Sequence, residues 1–139
     1  MTLVVDATLV VAALVDGGRE GQWAEGELLS AELAAPHLLP VEVANVLRKA
    51  VVAGDLSEDT AALAHEDLLC LRIELFPYDT VARRVWELRK IVTAYDAWYV
   101  AVAEALGAPL ATLDRKLSRA TGPRCTFRVP PRSRSAARG

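Results

Sequence analysis

Cysteine is scarce in this sequence, and it contains no long uninterrupted apolar run. Cys70 and Cys125 have no metal-binding spacing, so we expect two reduced thiols, as in a cytosolic protein. No apolar stretch approaches the ~20 residues that cross a bilayer. The apolar first segment, residues 1–15, lacks a basic start and contains Asp6, so we do not interpret it as a signal peptide. The expected location is cytoplasmic.

Acidic residues are absent from the C-terminal part of the sequence. The formal net charge of −2 combines a balance of −10 in residues 1–114 with a balance of +8 in residues 115–139. A solvated basic tail explains such an end on composition alone. The alternative is electrostatic contact with phosphates or with an acidic partner segment. Both explanations stay open.

Apolar residues are plentiful enough for one sizeable core. They make up 53% of 139 residues, and a chain of this length buries roughly two-thirds of its unfolded surface as one domain. The hydrophobic pattern predicts strands at residues 3–5, 73–76, 108–113 and 125–129, and helices at residues 8–15, 22–34, 40–53, 58–71, 80–92, 94–106 and 115–120. Residues 37–39, between two prolines, are too short for anything but a buried strand or a loop.

Short apolar strands separated by helices indicate an α/β fold. We expect a central parallel sheet of four to five strands with helices on both faces. In such sheets, functional sites collect at the carboxyl ends of the strands. Asp6 follows the first predicted strand, and Asp114 follows the strand at residues 108–113. These two carboxylates are therefore predicted to lie at one edge of the sheet.

Four acids attract attention, and each also has a purely structural explanation. Asp6 and Asp114 suit the N-cap of the helix that follows them. Glu42 lies in a first helical turn, where an acid interacts favourably with the helix dipole. Thr93 and Asp96 have the spacing of a capping box. Taken singly, each acid is explained by its structural role.

Taken together, the four acids favour a metal site. Glu42 shares a helical face with Val46, and Asp96 shares one with Tyr99, so both acids should point toward the core. Four carboxylates that converge without a basic partner repel one another and are driven to protonate. A divalent cation removes that conflict, and an all-oxygen ligand set favours Mg²⁺ or Mn²⁺ over zinc.

Such a site suits hydrolysis of phosphodiester bonds. A bound divalent ion lowers the pKa of a water, and a second ion about 4 Å away stabilises the leaving oxygen. No protein nucleophile is needed, and neither His37 nor His65 lies beside a nucleophile motif. Thr8 and Thr112 each lie two residues from a candidate acid, so their hydroxyls are placed to orient a water or a carboxylate. A cap or strand role explains both threonines equally well.

Four segments of the chain carry a resemblance to a known family. They are VVDAT at residues 4–8, LLPVEVANVLRK at residues 38–49, TAYDAWYVAVAEALGAPLATLD at residues 93–114, and the RKL that follows. Together they resemble the PIN domain, and more closely the VapC toxins of bacterial toxin–antitoxin pairs. The resemblance covers about residues 2–129, which leaves a basic Pro- and Arg-containing tail at residues 130–139 without a counterpart.

The resemblance implies a fold, a site and partners. It implies a three-layer α/β sandwich in which Asp6, Glu42, Asp96 and Asp114 are catalytic and bind Mg²⁺ or Mn²⁺. It also implies a homodimer that forms a heterotetramer or a larger assembly with a VapB-type antitoxin, whose C-terminal segment blocks the site. Asn45 matches the Asn of the family's Glu-containing block, where it orients a neighbour by a hydrogen bond or simply occupies the helix surface.

These expectations combine into one functional hypothesis. We interpret the chain as a metal-dependent endoribonuclease toxin that cleaves RNA by in-line attack of an activated water, leaving a 5′-phosphate and a 3′-hydroxyl. Arg115, Lys116 and Arg119 are candidates for holding the RNA backbone, with solvated helix surface as the alternative. The main competing hypothesis is a non-catalytic RNA- or partner-binding module whose acids are only caps. A receiver-like phosphate-handling domain fits less well, because no second acid stands beside Asp6.

Overall fold

Five short parallel strands form the centre of the fold. A computed structural model of the chain describes residues 1–132. The strands are β1 (Thr2–Val5), β2 (Glu32–Pro36), β3 (Ile73–Phe76), β4 (Leu110–Ala111) and β5 (Phe127–Arg128). They pair in the order β3-β2-β1-β4-β5, and every pair is parallel. Strand β1 lies in the middle, and Leu3, Val4 and Val5 are fully buried because helices cover both faces there.

Helices connect the strands and form two outer layers. Within the described residues they are α1 (Ala7–Val15), α2 (Arg19–Leu29), α3 (Leu39–Val52), α4 (Glu58–Cys70), α5 (Ala82–Glu87), α6 (Ala94–Leu106) and α7 (Arg115–Ser118). Helices α1 to α4 pack against one another, whereas α6 crosses β1, β2 and β4 with α5 beside it. The chain moves outward from β1 to β3 and then returns to β4, so right-handed crossovers place these two groups on opposite faces. The predicted three-layer α/β sandwich is confirmed, with five strands.

The second predicted helix is too long. The sequence predicted a helix over residues 22–34, but α2 ends at Leu29 and residues 32–36 form β2. Residues 33–35 are rich in alanine and favour a helix locally. Pairing with β1 on one side and β3 on the other overrides that preference, because it buries the segment in the middle of the sheet. The predicted helix at residues 80–92 is also shorter, since α5 ends at Glu87.

Helix α6 has clear chemical boundaries. Its N-cap is Thr93, whose hydroxyl oxygen accepts a hydrogen bond from the Asp96 N–H at 3.1 Å. Its C-cap is Gly107, at a left-handed φ of 62°. No helix among the described residues is long and apolar enough to span a membrane. Of the predicted C-terminal tail, residues 133–139 lie outside the described part of the chain.

Candidate functional site

The carboxyl edge of the sheet collects the four predicted acids. Asp6 directly follows β1, and Asp114 follows the neighbouring strand β4. Glu42 and Asp96 lie in the first turns of α3 and α6. Helix α3 leaves the carboxyl end of β2, and α6 runs back toward the amino end of β4, so both helices begin at this edge. We refer to these four residues as the acid cluster.

The members of the acid cluster lie close enough together for their charges to interact. Burial raises the pKa of Asp96, and the negative charges of Asp114 and Glu42 raise it further. Burial also raises the pKa of Asp6 to about 6, against the opposing effect of its hydrogen bonds, and the charge of Asp96 adds to the rise. Asp96 therefore lies within electrostatic range of the other three acids.

Asp6 is the most deeply buried member of the acid cluster, with 6% of its surface exposed. Its Oδ1 accepts hydrogen bonds from the Leu9 N–H at 3.1 Å and from the Thr8 hydroxyl at 2.6 Å. Its Oδ2 accepts a hydrogen bond from the Thr112 hydroxyl. Asp6 is thus the N-cap of α1, the structural role that the sequence allowed for it, and three donors hold its carboxylate in one orientation.

The two threonines connect Asp6 to the loop that carries Asp114. While their hydroxyl protons point at Asp6, the Thr8 Oγ1 accepts the Leu113 N–H at 3.0 Å and the Thr112 Oγ1 accepts the Asp114 N–H at 2.9 Å. Each hydroxyl therefore acts as donor and acceptor at once. They set the spacing between β1 and β4 at the edge where both acids lie.

The capping role of Asp114 also matches the structural explanation. Its Oδ1 accepts the Leu117 N–H at 3.0 Å, which makes Asp114 the N-cap of α7. A cap uses one lone pair of a carboxylate that has about four acceptor positions. Capping and ion binding are therefore compatible functions of the same side chain.

Tyr99 is the functional candidate that sequence reasoning missed. Its side chain is 2% exposed, and its hydroxyl donates to Glu42 Oε1 at 2.5 Å. Burial and the neighbouring Glu42 raise the pKa of Tyr99, so the hydroxyl keeps its proton and remains a donor. We predicted that Glu42 points toward the core because it shares a helical face with Val46. That reason was wrong, since Val46 is 42% exposed. The available signal was a tyrosine one turn after Asp96 in a helix face otherwise made of alanine and valine.

Two of the predicted basic residues lie beside the acid cluster. Lys116 and Arg119 line a surface cavity together with Asp96 and Asp114. Arg115 instead donates to the Pro130 carbonyl oxygen at 2.5 Å and lines a different cavity. The structure thus brings two of the three predicted bases to the site.

Asn45 lies on the exposed surface of α3. Its Oδ1 accepts a hydrogen bond from Arg48 Nε at 3.1 Å, one turn further along the same helix. Among the described residues it makes no hydrogen bond to the acid cluster. Asn45 therefore occupies the helix surface, which is one of the two roles that the sequence left open.

The chemistry of the acid cluster fits a hard divalent cation. Its donors are carboxylate and hydroxyl oxygens, and none of the ion pairs within residues 1–132 includes one of the four acids. Crowded carboxylates without a basic partner suit Mg²⁺ or Mn²⁺. In the described part of the chain, no three His, Cys, Asp or Glu side chains lie close enough together to hold one ion as they stand. Asp96 and Asp114 are only half-buried, so their side chains have room to rotate toward a shared ion.

Comparison with known proteins agrees with this architecture. The PIN domain family model matches residues 3–123. Ribonuclease VapC1 of Mycobacterium tuberculosis is 40% identical over 127 residues, which are 91% of this chain and 96% of VapC1. Among solved structures, PAE2754 from Pyrobaculum aerophilum aligns with a TM-score of 0.67 and 25% identity, over 91% of this chain and 83% of that one.

A second solved structure is that of VapBC2 from Rickettsia felis, bound to a DNA fragment from its promoter. The TM-score is 0.66 at 17% identity, over 93% of this chain and 98% of that one. At this identity the similarity concerns the fold. The family model and the extent of the match to VapC1 are decisive, because both include nearly the whole sandwich. The chain belongs to the PIN domain family and, within it, to the VapC proteins.

Proposed function

We propose that this chain is a Mg²⁺- or Mn²⁺-dependent endoribonuclease and the toxin of a toxin–antitoxin pair. The observation that carries the proposal is the collection of four carboxylates at the carboxyl edge of the sheet, where no ion pair within residues 1–132 neutralises any of them. RNA as the substrate is supported by the similarity to VapC1, which is named a ribonuclease and which this chain matches over nearly its full length.

The acid cluster would hold the cation, and its neighbours would hold the acids. Thr8 and Thr112 keep the Asp6 carboxylate fixed between two strands. An ion held there would supply an activated water for in-line attack on the phosphodiester and would stabilise the charge that develops on the phosphate. Lys116 and Arg119 lie in the cavity next to Asp96 and are placed to contact the RNA backbone. The products are a 5′-phosphate and a 3′-hydroxyl.

The partner assigned to this toxin is a VapB-type antitoxin. The fold of the chain matches that of VapBC2, which was solved bound to promoter DNA. We assign a homodimer to the free chain and a heterotetramer or larger assembly to its complex with the antitoxin, all in the cytoplasm. Light scattering of the chain alone and after mixing with the antitoxin tests both oligomeric states. A monomeric free chain would contradict the first, and a one-to-one heterodimer with the antitoxin would contradict the second.

A second function is favoured by the caps. Asp6 and Asp114 both cap helices, so a non-catalytic RNA- or partner-binding module remains the competing proposal. It predicts RNA binding without cleavage and no effect of divalent ions on stability.

Titration with Mn²⁺ separates the two functions. At 100 times its dissociation constant, Mn²⁺ should stabilise the wild type against unfolding by about 2.7 kcal/mol, and total RNA should be cleaved only when Mn²⁺ is present. Asp96→Asn should lose both effects, because it removes a carboxylate from the centre of the cluster. The control Asp67→Asn, on the exposed surface of α4, should keep both. A wild type that Mn²⁺ neither stabilises nor activates supports the binding module.

A further inference from the structure

The buried face of α6 carries one polar group beside the acid cluster. Its buried residues are alanines and valines except for Tyr99. Tyr99 lies three residues after Asp96, and its hydroxyl reaches across to α3, where it donates to Glu42 Oε1 at 2.5 Å. Tyr99 is 2% exposed and Glu42 is half-buried, so the contact is partly shielded from water. The bond joins two helices at the point where both contribute an acid.

Among the described residues, Glu42 has one hydrogen-bond donor where Asp6 has three. Asp6 is held by three donors, which are Thr8, Thr112 and the Leu9 N–H. Within residues 1–132, the Tyr99 hydroxyl is the single hydrogen-bond donor to the Glu42 carboxylate. A glutamate also has one more rotatable bond than an aspartate, so more freedom is lost when it is fixed. Without Tyr99, nothing else in the described chain holds the Glu42 carboxylate in place.

The bond leaves Glu42 suited to binding a cation through one oxygen. Oε1 accepts the tyrosine proton, whereas Oε2 accepts no hydrogen bond from the described residues. Carboxylates that ligate metal ions are typically held by such an outer hydrogen bond, and its loss typically costs 10–100-fold in metal affinity. We propose that Tyr99 is a positioning residue of the acid cluster, whose hydroxyl orients the Glu42 carboxylate for the divalent ion. This inference rests on the proposed function.

The variant Tyr99→Phe removes the hydroxyl and keeps the ring that packs in the core. Isothermal titration of the full-length, metal-stripped protein with Mn²⁺ should show a dissociation constant about tenfold weaker than that of the wild type. The matched control is Tyr95→Phe, one turn earlier in the same helix, where the side chain is 61% exposed. Its affinity for Mn²⁺ should equal that of the wild type.

A double-mutant cycle with Glu42→Gln separates positioning from general packing. If Tyr99 acts through Glu42, then Tyr99→Phe should leave the weakened Mn²⁺ affinity of Glu42→Gln unchanged. A merely structural role would instead lower the affinity by the same factor in both backgrounds. It would also lower the urea midpoint of the metal-free protein in proportion.

Two results overturn the inference by itself. One is a wild type that binds Mn²⁺ together with a Tyr99→Phe variant of equal affinity. The other is an equal loss from Tyr99→Phe with and without Glu42. A wild type that does not bind Mn²⁺ at all overturns the proposed function, and the role of Tyr99 with it. The wild-type titration therefore tells the two failures apart.

Discussion

At the scale of single residues, Asp6 combines two opposing demands. Its burial favours the neutral acid, and three hydrogen-bond donors favour the carboxylate. Burial dominates, so the pKa rises to about 6 from an ordinary value of 3.8. A carboxylate that is costly to ionise in the metal-free protein gains most from a bound cation.

This balance makes the stability of the metal-free protein depend on pH at Asp6. A raised pKa means that the folded state binds the proton more tightly than the unfolded chain, so Asp6 lowers the free energy of unfolding as the pH rises from about 4 to above 6. The variant Asp6→Asn has no carboxyl group at this position, so it does not lose stability in this way as the pH rises. Relative to the wild type, the variant should gain up to about 3 kcal/mol between pH 4 and pH 8.

Urea unfolding in the presence of EDTA, at several pH values, measures this difference. Comparing the two pH limits cancels any constant cost of altering the cap and its threonine contacts. At pH 8, saturating Mn²⁺ should stabilise the wild type more than the variant, because only the wild type offers the full set of carboxylates. A difference that does not change with pH would contradict the assigned cause.

At the scale of elements, helix ends place the site. The directions of Asp96 and Tyr99 depend on where α6 begins, because both residues follow the Thr93 cap within about a turn and a half. At its other end Gly107 adopts a φ of 62° and allows the chain to turn into β4. A shift in the register of α6 would rotate Asp96 away from the acid cluster.

Two glycine substitutions of opposite sign test this role of backbone conformation. Gly107→Ala has open space around its new methyl group, but an L-residue is strained at this φ, so it should lower the free energy of unfolding by about 1 kcal/mol. Gly26→Ala, exposed within α2 and equally free of close contacts, should raise it by roughly 0.5–1 kcal/mol. Urea denaturation of both variants measures the pair. If both variants change the free energy of unfolding in the same direction, backbone strain at Gly107 does not explain the effect.

At the scale of the whole molecule, ion pairs hold the C-terminal segment against the sandwich. Arg84 contacts Glu104 through Nε at 2.7 Å, and it also donates to the Gly122 carbonyl oxygen at 2.9 Å. On the other side, the buried Glu27 pairs with Arg128 of β5 at 2.8 Å. These contacts fix the segment at Gly122 and at Arg128. They thereby hold Arg119 beside the acid cluster.

The distribution of charge predicts how RNA binding depends on salt. If Lys116 and Arg119 each neutralise a phosphate, replacing both by Ala should reduce the slope of log K against log salt by about 1.4 for a single strand. The control pair is Lys49, in the last turn of α3, and Arg72, directly before β3, which carry the same charge and do not line the cavity of Lys116 and Arg119. Titration in EDTA prevents metal-dependent cleavage. An unchanged slope for Lys116 and Arg119 would remove them from the RNA path.

Most of the local structure could be predicted from the order of the residues. Hydrophobic periodicity and capping residues predicted the bounds of four elements nearly to the residue, namely β1, β3, α4 and α6. The boundaries are marked by short-range hydrogen bonds and backbone preference at Asp6, Ser57, Thr93 and Gly107. The same local reasoning selected the four acids, and their spacing along strands and helices indicated one edge of a parallel sheet.

Which side chains contact each other depends on the tertiary structure. Local propensity favoured helix for residues 33–35, and pairing with two neighbouring strands made them β2. The partnership of Tyr99 with Glu42 joins helices that are far apart in the sequence, so no local rule could predict it. Arg115 and Lys116 are adjacent in the sequence, yet one binds the Pro130 carbonyl and the other lines the cavity beside Asp96. Contacts of this kind depend on the packing of whole elements, which sequence periodicity does not describe.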